Sequence, residues 1–247
     1  MMSEWLNTSQ AAERLGVSEA SVRRWGDRGL LRVRRVGRRG ERRFKAEEVA
    51  SFTGTGGFAA TPRVGPPGQV AVGGVPMEVF THLAVFYDSL EGRLRLTAPF
   101  LEAGMRAGDP CFLVAHGEVL ESYLQRFRQA PGLDVEDALA SGRLLVLDAP
   151  GTTVDEAVDF WERAMWKAVE SSPAVIRAVG EMVSERERFI SEAEMLAYEA
   201  ALNSLTKRFP CFIICQYDVR QFSGPALFTA LRAHPDLFSL PLRTVIS

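Results

Sequence analysis

The stretch Thr8-Ser-Gln-Ala-Ala-Glu-Arg-Leu-Gly-Val-Ser-Glu-Ala-Ser-Val-Arg-Arg-Trp25 sets the fold of the amino-terminal part of this chain. Ala12 is small enough for two helices to cross, Gly16 follows where the chain must turn, and Val22 returns to the apolar face. Leu15, Val17 and Trp25 supply a wedge between the helices. Thr8 and Ser18 stand where N-caps are needed, each offering a side-chain oxygen to the unpaired amides of the next turn. The spacing predicts two short helices joined by a tight turn, the second from about Glu19 to Asp27.

Working outward, Gly29-Leu30-Leu31 stops the second helix, and Arg32-Val-Arg-Arg-Val-Gly-Arg-Arg-Gly-Glu-Arg-Arg-Phe44 gives two β-prone runs around Gly37 and Gly40. That is an arginine-rich wing. Residues 46–52 read as a short helix whose Val49 and Phe52 close a small core. In a helix-turn-helix the second helix enters the major groove. Glu19, Ala20, Ser21 and Arg24 would then lie nearest the base edges, with Ser18 at the helix start and Arg23 toward phosphate. Arg38, Arg39, Arg42 and Arg43 would grip the backbone or a narrow minor groove, where the forked, weakly hydrated guanidinium is favoured. Residues 1–52 hold 12 Lys+Arg against 7 Asp+Glu, whereas the rest of the chain holds 17 against 24. The asymmetry fits one polyanion-binding module on an otherwise acidic protein, and double-stranded DNA is the expected partner.

Ser18-x-x-Ser21-Val22-Arg23-Arg24-Trp25 with Gly29-Leu30-Leu31 resembles the winged helix-turn-helix of MerR-type regulators, and the Gly37 to Phe44 wing resembles its short BldC-like branch. The resemblance covers residues 5 to 52 and implies that Arg23 and Trp25 help hold the phosphate backbone. MerR dimers are tied by a long coiled coil after this domain. No heptad run follows Phe52 here, so dimerisation must come from elsewhere.

Residues 53–79 contain seven Gly and four Pro with little charge or periodicity, which reads as a flexible tether spanning roughly 30 Å root-mean-square. Residues 80–247 form the second domain. There is neither a signal peptide nor an apolar run long enough to cross a bilayer, so a soluble, cytoplasmic protein with no membrane partner is expected. Cys111, Cys211 and Cys215 sit in apolar runs and read as buried thiols; on one strand the last two would stand about 13 Å apart, too far for a disulfide. His82, His116 and His234 are widely scattered, so no metal site is expected, and no cofactor.

From residue 80 onward, apolar runs at 82–87, 110–115, 143–148, 175–180 and 211–217 have the continuous character of strands covered on both faces. Helical stretches at 119–127 and 154–169 intervene. The pattern predicts an α/β domain around a largely parallel sheet. Ligands gather beyond the carboxyl ends of such strands, where Tyr87 with Asp88, His116, Asp148, Glu181 with Met182, and Tyr217 with Asp218 fall. These groups line a pocket mouth or else cap helices at the surface. The 184–189 run, Ser-Glu-Arg-Glu-Arg-Phe, is a solvated loop or helix start, or brings Arg186 or Arg188 to an anionic ligand.

A second resemblance rests on His82 with Tyr87, Pro99-Phe-Leu-Glu-Ala-Gly104, Gly180-Glu-Met182, Tyr198-Glu199 with Leu202-Asn203, Cys215-Gln-Tyr-Asp218 and His234-Pro235. In that order they resemble the MEDS, DcmR-like, sensory domain, a relative of the RecA/KaiC fold. The resemblance implies a regulator that senses a small molecule, of hydrocarbon-derived or one-carbon type, with His82 among the ligand-binding residues. RecA-like ancestry raises an ATPase alternative, and Leu144-Leu-Val-Leu-Asp148 looks like a magnesium-binding strand end. The loop after the first strand, Tyr87-Asp-Ser-Leu-Glu-Gly-Arg-Leu-Arg-Leu96, has one Gly and no Lys, unlike a phosphate cradle. The chain therefore reads as a DNA-binding transcription regulator and not an enzyme, dimeric through its carboxyl-terminal domain. A protein-interaction platform is the remaining alternative.

Overall fold

The computed structural model describes residues 4–15, 19–27, 31–37, 40–52, 68–171, 175–234 and 236–237, without the side chains of residues 21, 24, 51, 52 and 171. The head contains β1 (Trp5–Leu6), α1 (Thr8–Leu15), α2 (Glu19–Asp27), β2 (Arg34–Val36), β3 (Glu41–Lys45) and α3 (Ala46–Phe52). Ala11, Val22, Trp25, Leu31, Phe44 and Val49 are buried between them. Val17 of the expected wedge lies outside the described residues. The cap of α1 is Asn7, not Thr8. Asn7 Oδ1 accepts the Gln10 amide at 2.8 Å, and Gln10 Oε1 accepts the Asn7 amide at 2.9 Å, so each satisfies the other's orphan donor. Strand β3 is central, antiparallel to β1 and β2. The β2–β3 turn uses Gly37 at φ 72° and Gly40 at φ 62°, conformations that cost a side-chain-bearing residue energy.

Residues 69–78 depart from the tether reading. They pair as an antiparallel hairpin, β4 (Gln69–Val72) with β5 (Val75–Glu78). The two-residue turn, Gly73 at φ 58° and Gly74 at φ 80°, matches the twist of the flanking strands. Val70 and Val72 are buried, which stabilises a segment whose glycine content alone argued for disorder.

The second domain runs β6 (Thr81–Tyr87), α4 (Leu90–Ala107), β7 (Cys111–Val114), α5 (Gly117–Arg128), α6 (Val135–Ala140), β8 (Leu144–Leu147), α7 (Val154–Ser171), β9 (Ile176–Glu181), α8 (Met182–Arg188), α9 (Glu192–Thr206), β10 (Cys211–Asp218) and α10 (Gly224–Ala233). Its five strands are all parallel, in the order β6-β10-β9-β7-β8. This is the α/β sheet that the continuous apolar runs predict. Every residue of β6, β7, β9 and β10 is buried, as parallel strands covered on both faces must be.

Helices α4 and α5 cover one face; α7, α9 and α10 cover the other. Phe212 meets Phe100 of α4 at 5.5 Å between ring centroids, while Phe112 meets Trp161 of α7 at 5.3 Å. On the α4 side, Gly104 admits a buried ion pair. Arg177 donates to Asp109 at 2.8 Å and to the Phe100 carbonyl at 3.0 Å, and a Cβ on Gly104 would stand 2.5 Å from Arg177 Cδ. Because β7 leads to β8 in one direction and β9 to β10 in the other, the strand order reverses between β7 and β9, the place beyond whose carboxyl ends ligands of such sheets gather. Among the described residues no helix is long and apolar enough to cross a membrane.

Candidate functional site

In the head, the start of α1, helix α2 and strand β3 form a concave polar surface that includes Asn7, Glu19, Arg23, Arg42 and Arg43. The charges there are already paired. Arg23 bonds Glu19 one turn away, Arg43 donates to Glu41 at 2.9 Å, and Asp27 accepts Arg42 at 2.7 Å and Arg35 at 3.1 Å. The Arg42 bond, with the Arg35 charge added, holds the Asp27 carboxyl below the usual carboxylate range. Trp25 is only 1% exposed, so it acts as the wedge and offers almost no surface to a phosphate. Ser18, Arg38 and Arg39 lie outside the described residues, as do the side chains of Ser21 and Arg24.

At the carboxyl edge of the sheet, the ends of β6 and β9 bring Tyr87 and Glu181 together on the α4 face. The Tyr87 hydroxyl donates to Glu181 Oε1 at 2.6 Å, and the Arg93 guanidinium of α4 lies 5.3 Å from the Tyr87 ring centroid. Arg93 Nε and Glu181 Oε2 face each other at 3.8 Å, both buried and neither hydrogen-bonded. Burial pushes the Glu181 carboxyl up to about 7 against the opposing effects of Tyr87 and Arg93; burial and the Glu181 charge raise Tyr87. A connected set adjoins it: Gln216 Nε2, with two hydrogens to give, lies 2.7 Å from the Thr97 hydroxyl, 2.9 Å from the Tyr123 hydroxyl and 3.1 Å from the Arg93 carbonyl. Sequence reasoning missed Arg93, Thr97 and Tyr123, which sit in ordinary helical patterns.

Met182 is buried at the start of α8, beside Glu181. The glycine before them makes room for a carboxylate, because a Cβ on Gly180 would stand 2.4 Å from Glu185 Oε1. Burial first, then the Glu199 and Glu181 charges, raises Glu185 well above its ordinary value. His116 Nε2 lies 3.3 Å from the Ser184 carbonyl and 3.3 Å from Glu187, tying the end of β7 to α8.

Other expected pocket residues are spent elsewhere. Residues 184–188 are helical, and Arg186 donates to the Gln221 carbonyl at 2.6 Å while its guanidinium lies 4.6 Å from the Phe222 ring centroid. Arg188 pairs with Asp148 at 3.3 Å. Asp218 accepts the Arg220 guanidinium at 2.7 and 2.9 Å and the Arg220 amide at 3.0 Å, which lowers it to about 2 and makes it the anchor of the turn after β10.

His82 and Tyr217 project from the opposite face of the sheet, so the sequence-derived set divides in two. There the start of β6 and the end of α10 bring His82 and His234 to 4.0 Å between ring centroids; of the histidines read as scattered, only His116 stands apart. Cys215 Sγ lies 3.2 Å from His82 Nε2 and 3.5 Å from Glu199 Oε1. Tyr217 donates to Glu199 Oε2 at 2.9 Å, and His234 Nε2 stands 3.0 Å from that same oxygen. Burial lowers His82 and raises Cys215 and Tyr217. Cys111, Cys211 and Cys215 are buried free thiols, as their apolar context predicts.

The chain matches two family models: a helix-turn-helix domain over residues 5–54, and MEDS, the methanogen/methylotroph, DcmR sensory domain, over residues 81–235. It is 36% identical over 249 residues to the transcriptional repressor DcmR of Methylorubrum extorquens, covering 97% of this chain and 93% of that protein. Among solved structures, the flagellar accessory protein FlaH of Methanocaldococcus jannaschii aligns at TM-score 0.46 and 12% identity, over 63% of this chain and 69% of that one. A KaiC-like protein of Pyrococcus horikoshii aligns at TM-score 0.45 and 19% identity, over 61% and 70%. With its amino-terminal helix-turn-helix and a sensory-domain match spanning the parallel sheet, the chain belongs to the MEDS family and is a homologue of DcmR.

Proposed function

We propose that the protein is a cytoplasmic DNA-binding transcription regulator with a winged, MerR-like head of the BldC-like branch and a carboxyl-terminal domain that senses a small molecule. The supporting observation is the similarity to a transcriptional repressor at 36% identity, running through both head and sheet domain. In this reading α2 enters the major groove and the β2–β3 wing lies on the backbone, with Arg23, Arg42 and Arg43 exchanging their intramolecular carboxylates for phosphates. The effector binds at the carboxyl edge of the sheet, at the end of β9, where Arg93 Nε and Glu181 Oε2 still have hydrogen-bonding capacity. His116 and Met182 border it. A polar small molecule of hydrocarbon-derived or one-carbon type suits a site that pairs a donor and an acceptor within a mostly apolar sheet.

One winged head makes a small contact, so two heads are brought together by dimerisation of the sheet domain. Selection of bound duplexes from a random pool by the full chain tests the reading. A recurring pair of half-sites is expected; recovery of no preferred sequence overturns it. Light scattering on the full chain should give twice the monomer mass, and a monomer would remove the dimer.

A further inference from the structure

We propose that His82, Glu199, Cys215 and His234 form a tetrahedral site for a divalent transition metal of the zinc class. The four residues come from β6, α9, β10 and the end of α10, all are buried, and one ligand atom from each lies within 4.8 Å of the others. Tetrahedral zinc with nitrogen, oxygen and sulfur bonds of about 2.0–2.3 Å places its ligands about 3.3–3.8 Å apart. His234 Nε2 and Glu199 Oε2 stand 3.0 Å apart, His82 Nε2 and Cys215 Sγ 3.2 Å, Cys215 Sγ and Glu199 Oε1 3.5 Å, and His82 Nε2 and Glu199 Oε2 3.7 Å, close enough to that spacing for small side-chain adjustments to admit the ion.

The hydrogen-bond pattern asks for a cation at this point. His234 Nδ1 bonds the Ala230 carbonyl at 2.7 Å, which places its proton there and leaves the Nε2 lone pair toward Glu199. Nε2 and Glu199 Oε2 are then two acceptors 3.0 Å apart, and Nε2 has no hydrogen-bond partner. Among the described residues no lysine or arginine pairs with Glu199. Lys207, the nearby cation, is held by Asp236 and the Phe80 carbonyl. A divalent ion bonded to the imidazoles, carboxylate and thiolate answers both deficits. The surroundings resemble the outer shell of a metal site: the Ala230 carbonyl orients His234 and the Tyr217 hydroxyl orients Glu199. Two imidazoles, one thiolate and one carboxylate are a borderline-soft donor set suited to zinc, with cobalt(II) as its spectroscopic substitute. Four protein donors close the coordination sphere, so the ion ties α9 and α10 to the sheet and performs no chemistry.

The test uses the full-length, tag-free protein after chelator treatment, titrated with cobalt(II). One cobalt per chain is expected, with visible ligand-field bands of tetrahedral intensity, a near-ultraviolet thiolate charge-transfer band, displacement by zinc, and a raised melting midpoint. Cys215→Ser should abolish the charge-transfer band and His234→Gln should weaken cobalt binding more than about tenfold. Cys211→Ser, which removes the other thiol of β10, should leave the spectrum unchanged. If the ligand variants do not fold, wild type and Cys211→Ser decide alone. A folded wild-type protein without a saturable tetrahedral cobalt spectrum overturns the site and leaves a cluster held together by protons.

Discussion

Replacing Glu181 with glutamine should make the protein more stable in alkaline solution and leave it unchanged in mild acid. The Glu181 carboxyl is fully buried and lifted from an ordinary 4.5 to about 7, mainly by desolvation. Between those values the folded state binds more protons than the unfolded state, so stability falls as pH rises through the window. The shift corresponds to about 3 kcal/mol, fully lost above pH 7. Glutamine keeps an acceptor for the Tyr87 hydroxyl and carries no charge, so it removes the loss and keeps the hydrogen bond. Urea unfolding of wild type and Glu181→Gln from pH 4 to 8 should give curves that nearly coincide at pH 4 and separate by up to about 3 kcal/mol at pH 8, the variant being the more stable. Parallel curves, or a variant weaker at pH 8, would refute the reasoning.

Gly104→Ala should drive a methyl group into Arg177 Cδ at 2.5 Å and Cys111 Sγ at 2.7 Å. Strain of about 3 kcal/mol exceeds the roughly 1 kcal/mol gained in helix propensity, so the unfolding free energy should fall by about 2 kcal/mol, seen as a lower urea midpoint at unchanged slope. Asp27→Asn should free Arg35 and Arg42 for phosphate, tightening binding to random duplex and steepening its salt dependence by about one counterion; unchanged salt dependence would show that these arginines do not face DNA. Gly74→Val, at φ 80° in the β4–β5 turn, should destabilise the hairpin by about 1–2 kcal/mol in the same urea assay, and an unaltered midpoint would show that the hairpin adds nothing to the fold.

Local pattern carried much of this architecture. Helix α2 runs from Glu19 to Asp27, and the five sheet strands fall within a residue or so of the apolar runs, because burial on both faces leaves no polar alternation to mislead. The cap at Asn7 was hidden because Thr8 is also a good cap, and only the partner at Gln10 distinguishes them. The hairpin at 69–78 is masked by its surroundings: its paired glycines and alternating valines follow directly on a Gly/Pro-rich run of similar composition. Nothing local orders β10 between β6 and β9. Consequently nothing local shows that His82 and Tyr217 leave the face of Tyr87 and Glu181, or that His82 meets His234. The short motifs containing His82, Glu199, Cys215 and His234 were visible, but their convergence is a property of the sheet order.

The central claim, a DNA-reading head on a sensory sheet, is tested most directly by fluorescence anisotropy of the full chain on its selected duplex and on a scrambled duplex across a salt series. Wild type should prefer the selected duplex by about a thousandfold or more. Arg42→Ala should weaken both duplexes alike and lower the salt slope by about one ion, as loss of a phosphate contact requires. Equal wild-type affinity for the two duplexes, or an Arg42→Ala variant with unaltered affinity and salt slope on both, would contradict the account.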